Sequence, residues 1–303
     1  MSAVLTIIIP SVCTQARHAS LLRAIAGALG SAPVDMATVL IVANGPGVVD
    51  EIVQELAGLP RVCVLHREEG SLPKAQLAGR GSVVTPFFAF LDDDDELLPG
   101  ASTWRLEALA ANPTADLCIT NGWREVSGQL EPMHPSLQGV EADPLRALLA
   151  RNWLASSAAM FRTATVGLTF FEEPQPYAEW TWLAYRLLLA GKRVAVVDRP
   201  GYVIHDTPGS LSKSGAYFSS YVGLFDRMLT CNPPVWVRDV LLHKRCAALH
   251  DLAGQSLDEC QVAKGWSYHR ASLFPIRHGW PYLAFSRKFA TAALQQIWKG
   301  HAT

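Results

Sequence analysis

Short apolar runs alternate with stretches of helical period through the first part of this 303-residue chain. Residues 5–9 are mostly β-branched and stop at Pro10, ahead of the polar Ser11 and Thr14, which predicts a central strand feeding a loop. Within 20–29, Leu21, Leu22, Ile25 and Leu29 share a helical face, and Gly30 is a natural stop. Residues 39–42 read as a second strand, and Val49, Ile52, Val53 and Leu56 mark a second helix. A third strand over 62–65 and a helix around 74–80 lead into the apolar run Phe87, Phe88, Phe90, Leu91. This order implies parallel β-α units with right-handed crossovers.

Further on, Trp104, Leu106, Leu109 and Ala110 predict a helix that ends at Asn112 and Pro113, and 116–120 predicts another strand. Residues 132–144 read as a loop, 145–150 as a helix, and 172–176 as a Pro-rich loop. A helix over 180–189, closed by Gly191, precedes a strand at 194–197. From about residue 217 onward the pattern is mainly helical.

The apolar run at 87–91 ends in four carboxylates, Asp92, Asp93, Asp94 and Asp95. They therefore sit at a strand's carboxyl end, where open parallel sheets bind ligands. Four adjacent like charges are better tolerated with a divalent cation between some of them. On an extended chain, alternate residues point the same way, so Asp92 and Asp94 would face one site and Asp93 and Asp95 another. This is the pattern of an Asp-x-Asp metal clamp.

Half the residues are hydrophobic, which excludes a disordered chain, and a net charge of −1 argues against a general nucleic-acid binder. Cysteines 13, 63, 118, 231, 246 and 260 form no Cys-x-x-Cys pair, so buried free thiols in a reducing compartment are expected and a zinc site is not. Residues 1–10 lack a basic n-region, and no stretch approaches the ~18 apolar residues that cross a bilayer. A cytoplasmic enzyme is the expectation.

Five spaced motifs within 5–212 together resemble the inverting glycosyltransferases of family 2. They are Ile-Ile-Ile-Pro at 7–10, Ile-Val-Ala-Asn-Gly at 41–45, and Ala75 to Gly79 followed by the acid run. The fourth is Tyr-Ala-Glu-Trp-Thr-Trp-Leu-Ala-Tyr-Arg at 177–186, and the fifth is Val-Ile-His-Asp-Thr-Pro-Gly-Ser-Leu-Ser-Lys-Ser at 203–214. The resemblance implies an α/β GT-A nucleotide-diphospho-sugar transferase fold, a mainly parallel sheet flanked by helices with a C-terminal helical extension. Residues 1–215 would form the catalytic domain, with a nucleotide-binding half to about 98 and an acceptor half after it, and 216–303 the extension.

By the same resemblance, Pro10, Ser11, Asn44, Lys74, Arg80, Asp92, Asp93 and Lys213 would contact the nucleotide-sugar, helped by Ser210 and Ser212. Asp94, Asp92 and His205 would hold Mg2+ or Mn2+. Gln76 and Leu77 stand where the family has Arg and Asn, and Trp180 stands where it has its general-base Asp. Glu179 is then the expected base, with Asp206 in reserve, and Trp123, Trp153, Trp180 and Trp182 offer faces for sugar rings. The implied activity is metal-dependent transfer of a sugar, from a UDP-sugar in the first instance, to a glycan or glycolipid acceptor hydroxyl with inversion. The implied setting is polysaccharide, lipopolysaccharide or other glycoconjugate synthesis.

Two alternatives stand beside it. A non-catalytic nucleotide-sugar or glycan-binding relative would account for Gln76 and Trp180, whereas a sugar nucleotidyltransferase usually carries a Gly-rich basic loop that 10–17 lacks. Residues 261–303 carry Lys264, Arg270, Arg277, Arg287, Lys288 and Lys299 with no Asp or Glu. A helix from Pro281 would set Tyr282, Leu283, Phe285, Phe289, Leu294, Ile297 and Trp298 beside these basics. Either this segment makes peripheral contact with the inner face of a membrane, or it packs on the protein with its basics solvated.

Overall fold

The computed structural model describes residues 3–173, 175, 177–207 and 215–291. The contacts divide the chain into two compact units, Met1–Ser210 and Leu211–Thr303. In chain order the first unit contains β1 (Leu5–Ser11), α1 (Gln15–Gly30), β2 (Ala37–Asn44), α2 (Asp50–Ala57), β3 (Val62–Arg67), α3 (Leu72–Gly81), β4 (Phe87–Phe90) and β5 (Glu96–Leu97). It continues with α4 (Ala101–Ala111), β6 (Leu117–Val126), β7 (Gln129–Pro132), α5 (Pro144–Ala150), β8 (Ala159–Arg162), α6 (Glu179–Leu189) and β9 (Val194–Ile204).

These strands form one sheet in the order β3-β2-β1-β4-β8-β6-β9-β5, with β7 paired to β6. β3, β2, β1 and β4 are mutually parallel, as are β6 and β9, while β8 runs antiparallel between β4 and β6. All seven residues of β1 are buried, which explains its continuous apolar run. Pro10 is tolerated there for a specific reason. Ile8 accepts a hydrogen bond from Leu91 N on the β4 side, and Pro10 faces that same side two residues on, past the end of β4 at Phe90.

Gly79 of the third motif is explained by packing. A Cβ there would lie 2.5 Å from Ile8 Cγ2 and 3.1 Å from Val42 Cγ2, so α3 lies on β1 and β2 at a distance that only glycine allows. Among the pairs across β4 and β8, Phe88 and Phe161 stack with centroids 5.0 Å apart. The short strands β5, β7 and β8 go beyond the sequence expectation. β8 is four residues long, and the stretch leading into it is rich in Ala and Ser, so it carries little strand signal.

The second unit is helical: α7 (Gly215–Thr230), α8 (Val235–Asp258), α9 (Val262–Ser272) and α10 (Ile276–Gly279), then a 3-10 turn, Trp280–Phe285. Val237, Leu241, Cys246, Leu249, Ala253 and Phe289 are buried in it. All six cysteines are free, but only Cys13, Cys118 and Cys246 are buried, so the expectation of buried thiols is corrected for Cys63, Cys231 and Cys260. Cys63 is exposed because β3 is an edge strand. No described helix is long and apolar enough to cross a membrane.

Candidate functional site

β1 and β4 end side by side, and the chain leaving β4 folds at once into a tight turn, with Asp95 N donating to Asp92 O at 3.2 Å. The acid run is therefore a turn and not an extended segment, which corrects the expected alternation. Its side chains pair by partner as Asp92 with Asp95 and Asp93 with Asp94.

Asp92 and Asp95 are held from a 3-10 turn, Ser156–Ala158. Ser156 Oγ donates to Asp92 Oδ1 at 2.8 Å, and Ser157 Oγ donates to Asp95 Oδ2 at 3.0 Å. His205 N at the end of β9 adds a bond to Asp95 Oδ1 at 3.3 Å. Ser157 is braced in turn: its carbonyl accepts from Arg105 Nη2 at 2.7 Å, and the same nitrogen donates to Thr120 Oγ1 at 2.6 Å. Arg105 is fully buried, and burial pushes its guanidinium down to about 10.

Asp93 and Asp94 are held from β1 and α1 instead. Ser11 Oγ donates to Asp93 Oδ2 at 2.6 Å, Arg17 Nη1 lies 2.6 Å from Asp94 Oδ2 and 3.6 Å from Asp93 Oδ1, and Arg23 reaches Asp94 O. Arg17, Arg23, Ser156 and Ser157 were not expected from the sequence. For Arg17 a signal existed: it sits in the first turn of α1, which holds no acid, and a cation there opposes the helix dipole unless something else holds it.

Burial raises the Asp92 carboxyl to about 7, against the Ser156 bond and with the nearby Glu179 charge adding to the rise. Asp95 is also well above the ordinary range, through burial and then the Asp92 charge. Asp93 is raised by burial, in spite of Ser11 and Arg17. Two consecutive residues with positive φ, Tyr177 (59°) and Ala178 (50°), turn the chain into α6, whose first residue is Glu179. Such backbone costs about 1–3 kcal/mol per residue and persists where the surroundings impose it. Burial raises the Glu179 carboxyl, and the residue lines a small cavity with Gln76, Gln175 and Trp180.

Trp180, in the place of the family's acid, packs its ring edge-on to Phe90 at 5.3 Å. Trp153 and Trp182 are buried, with indole N–H groups bonded to Pro144 O and Glu173 O, so neither presents a face to a sugar. Asn44 is buried, and its Nδ2 donates to Ser11 O at 3.0 Å, tying the end of β2 to the end of β1 beside Pro10. Lys74 is exposed and bonds Glu69. Arg80 is buried over the Phe88 ring and donates to Thr163 O and Val166 O, so its charge faces the interior and not a nucleotide. Asp206 is exposed just beyond β9. Lys213, Ser210 and Ser212 lie outside the described residues.

His205 does not join Asp92 and Asp94. Its Nδ1 lies 2.9 Å from Glu125 Oε2 and its Nε2 3.7 Å from Glu96 Oε2. Among the described residues no group of three or more His, Cys, Asp or Glu is placed to hold a metal ion. A smaller donor set still fits a hard cation. Mg2+ is commonly bound through one or two carboxylates with substrate phosphates completing the shell, and Asp92 and Asp94, whose side chains have different partners but whose charges interact across the turn, are hard oxygen donors at the sheet's carboxyl end.

Comparison with known proteins agrees with this architecture. Residues 6–162, just over half of the chain, match the model for glycosyl transferase family 2. The crystal structure of S. aureus TarS 1-349 in complex with UDP-GlcNAc is similar at a TM-score of 0.58 and 16% identity, over 82% of this chain and 72% of that one. A second structure of S. aureus TarS gives 0.57 at 15% identity, over 81% of this chain and only 43% of that one. A third, of TarS 1-349, gives 0.56 at 13% identity over 92% of each chain. At these identities the likeness establishes the fold, which is GT-A. No curated protein matches the sequence. With its sheet, acid turn and family match in agreement, the chain belongs to glycosyl transferase family 2.

Proposed function

We propose that this chain moves a sugar from a nucleotide-diphosphate sugar, a UDP-sugar in the first instance, to an acceptor hydroxyl with inversion at the anomeric carbon. The observation that carries the reading is the Glu179 carboxyl, lifted by burial and set close enough to Asp92 for their charges to interact. A base whose proton affinity is raised by burial suits removal of a hydroxyl proton. UDP-GlcNAc in the similar TarS structure supports UDP-sugars as the donor class.

In this reading Pro10, Ser11 and Asn44 shape the nucleotide end of the site, and Arg17 adds positive charge beside the departing diphosphate. Asp94 and Asp92 would hold Mg2+ or Mn2+. That ion, when bound, offsets the charge that accumulates on the diphosphate. Ser156 and Ser157 fix two of the carboxylates, and Glu179 accepts the acceptor's proton. The acceptor is a glycan or glycolipid, met in the cytoplasm at the inner face of a membrane, in polysaccharide, lipopolysaccharide or other glycoconjugate synthesis.

Trp180 packed against Phe90 favours one other reading, a non-catalytic nucleotide-sugar or glycan binder. A panel of UDP-sugars with Mg2+ or Mn2+ separates the two. UDP release that needs the cation and Glu179 supports the transferase. Saturable binding of a donor with no release from any of them supports the binder, and full activity in EDTA removes the metal from the mechanism.

A further inference from the structure

Four exposed apolar side chains of the second unit gather where α9 gives way to α10 and the turn after it. Phe274 is 61% exposed, Ile276 62%, Trp280 68% and Leu283 46%. Spacings of four and then three residues place Ile276, Trp280 and Leu283 along one side of α10 and the 3-10 turn after it. Of the side chains expected to form an apolar face, only Leu283 is in this ridge. Tyr282 stacks on His250 at 4.3 Å, Phe285 packs beside Phe289, and Phe289 is buried. Leu294, Ile297 and Trp298 lie outside the described residues.

Fixed backbone holds the ridge out. His278 is buried, with Nε2 3.2 Å from Asp239 Oδ1 on α8, and Arg277 bridges the same carboxylate at 3.3 Å. Gly279 packs so closely on the Leu273 backbone that a Cβ there would clash. Val235, one helical turn before Asp239, is also exposed and extends the apolar surface. Clustered apolar exposure of this kind on a rigid frame marks an interaction surface.

Charge selects the partner. Residues 211–303 carry eleven Lys and Arg against five Asp and Glu, while residues 1–210 carry fifteen against twenty-two. Arg270, Arg277, Arg287 and Lys288 are exposed around the ridge, and 261–303 contains no acid. A second copy meeting this face with its own would oppose like charges. We propose that the Phe274, Ile276, Trp280 and Leu283 ridge seats the protein on a bilayer bearing anionic headgroups. The apolar side chains enter the boundary between headgroups and acyl chains, and the arginines meet lipid phosphates. The glycolipid-acceptor reading gives this contact its purpose, and the contact itself rests on the ridge.

The test is flotation of the full chain with phosphatidylglycerol–phosphatidylcholine vesicles and with pure phosphatidylcholine vesicles, at low and high salt. The expected result is binding to the anionic vesicles at low salt, release by high salt, and little binding to neutral ones. A double variant, Ile276→Ser with Trp280→Ser, should lose roughly tenfold or more of the partitioning. Its circular dichroism and UDP-sugar hydrolysis should match the parent, since neither residue lies in the acid-turn site. Arg270→Gln supplies a second variant, expected to weaken binding while leaving the Asp239 contacts that hold the ridge in place. No binding to anionic vesicles at low salt overturns the proposal, as does equal binding by the double variant. A dimer in sedimentation that the same variant dissolves shows that a second copy covers the ridge and overturns it too. Vesicle binding without donor turnover would sink the transferase reading alone, and turnover without vesicle binding would sink this one alone.

Discussion

At the scale of single residues, adjacent carboxylates of the acid turn predict different mutant behaviour. Asp94→Asn should abolish metal-dependent transfer with the fold intact, and Asp93→Asn should do less, because of the two only Asp94 is a proposed ligand of the cation. Equal losses in a donor-turnover assay would sink that distinction. Glu179→Gln should lower kcat by ~10²-fold or more with little change in donor KM, the pattern left when a proton acceptor is removed. If Glu179→Gln stays active while Asp206→Asn is dead, the base lies beyond β9. Arg17→Gln should unmask repulsion between Asp93 and Asp94. Its cost in stability is on the order of 1 kcal/mol or less, because Arg17 is partly exposed, and millimolar Mn2+ should restore the loss. A melting temperature that falls equally with and without the cation would show that Arg17 acts through packing alone.

At the scale of elements, the close seat of α3 on β1 and β2 gives the most direct check. Gly79→Ala gains up to about 1 kcal/mol of helix propensity. It also forces a methyl to 2.5 Å from Ile8, where overpacking costs about 1–3 kcal/mol. The net expectation is destabilisation, read as a lower denaturant midpoint with unchanged slope, and a stabilised variant would contradict the packing argument. The units β1-α1-β2-α2-β3-α3-β4 were legible in the sequence because β1, β2 and β4 are apolar runs buried almost throughout, the edge strand β3 still carries Val62, Val64 and Leu65 close together, and the helices between them show an apolar side. β8 was not, because four residues entered through Ala and Ser hold too short a pattern, and its antiparallel place depends on β4 and β6, which are distant in the chain. The location of the acids at a strand end was legible from Phe87 to Leu91. Their grouping was not, because a single bond from Asp95 N to Asp92 O turns an extended run into a tight turn. Ser156 and Ser157 carried no signal of their own, since their role exists only through carboxylates more than sixty residues away.

At the scale of the whole molecule, the buried carboxyls of the acid-turn site in the first unit and two histidines of the second predict opposite responses to acid. In the first unit, burial raises Asp92 to about 7 and lifts Asp95, Asp93 and Glu179, so the folded state holds protons that the unfolded chain has released. The resulting penalty is present above the raised values and is relieved as pH falls through them, so stability around the acid turn should rise from pH 7.5 toward 5.5. In the second unit, burial lowers His250 and His269 below the ordinary value near 6.5. There the unfolded chain binds more protons, and stability is lost as pH drops through and below 6.5. Hydrogen exchange in EDTA, corrected for intrinsic rate, should show protection rising in β4 and the acid turn and falling in α8 and α9 over this range. His250→Phe keeps the rings against Tyr282 and Phe285 and should flatten the second response without touching the first. Parallel changes in both units, or no loss of protection in α8 and α9 at pH 5.5, would show that other groups govern the pH response.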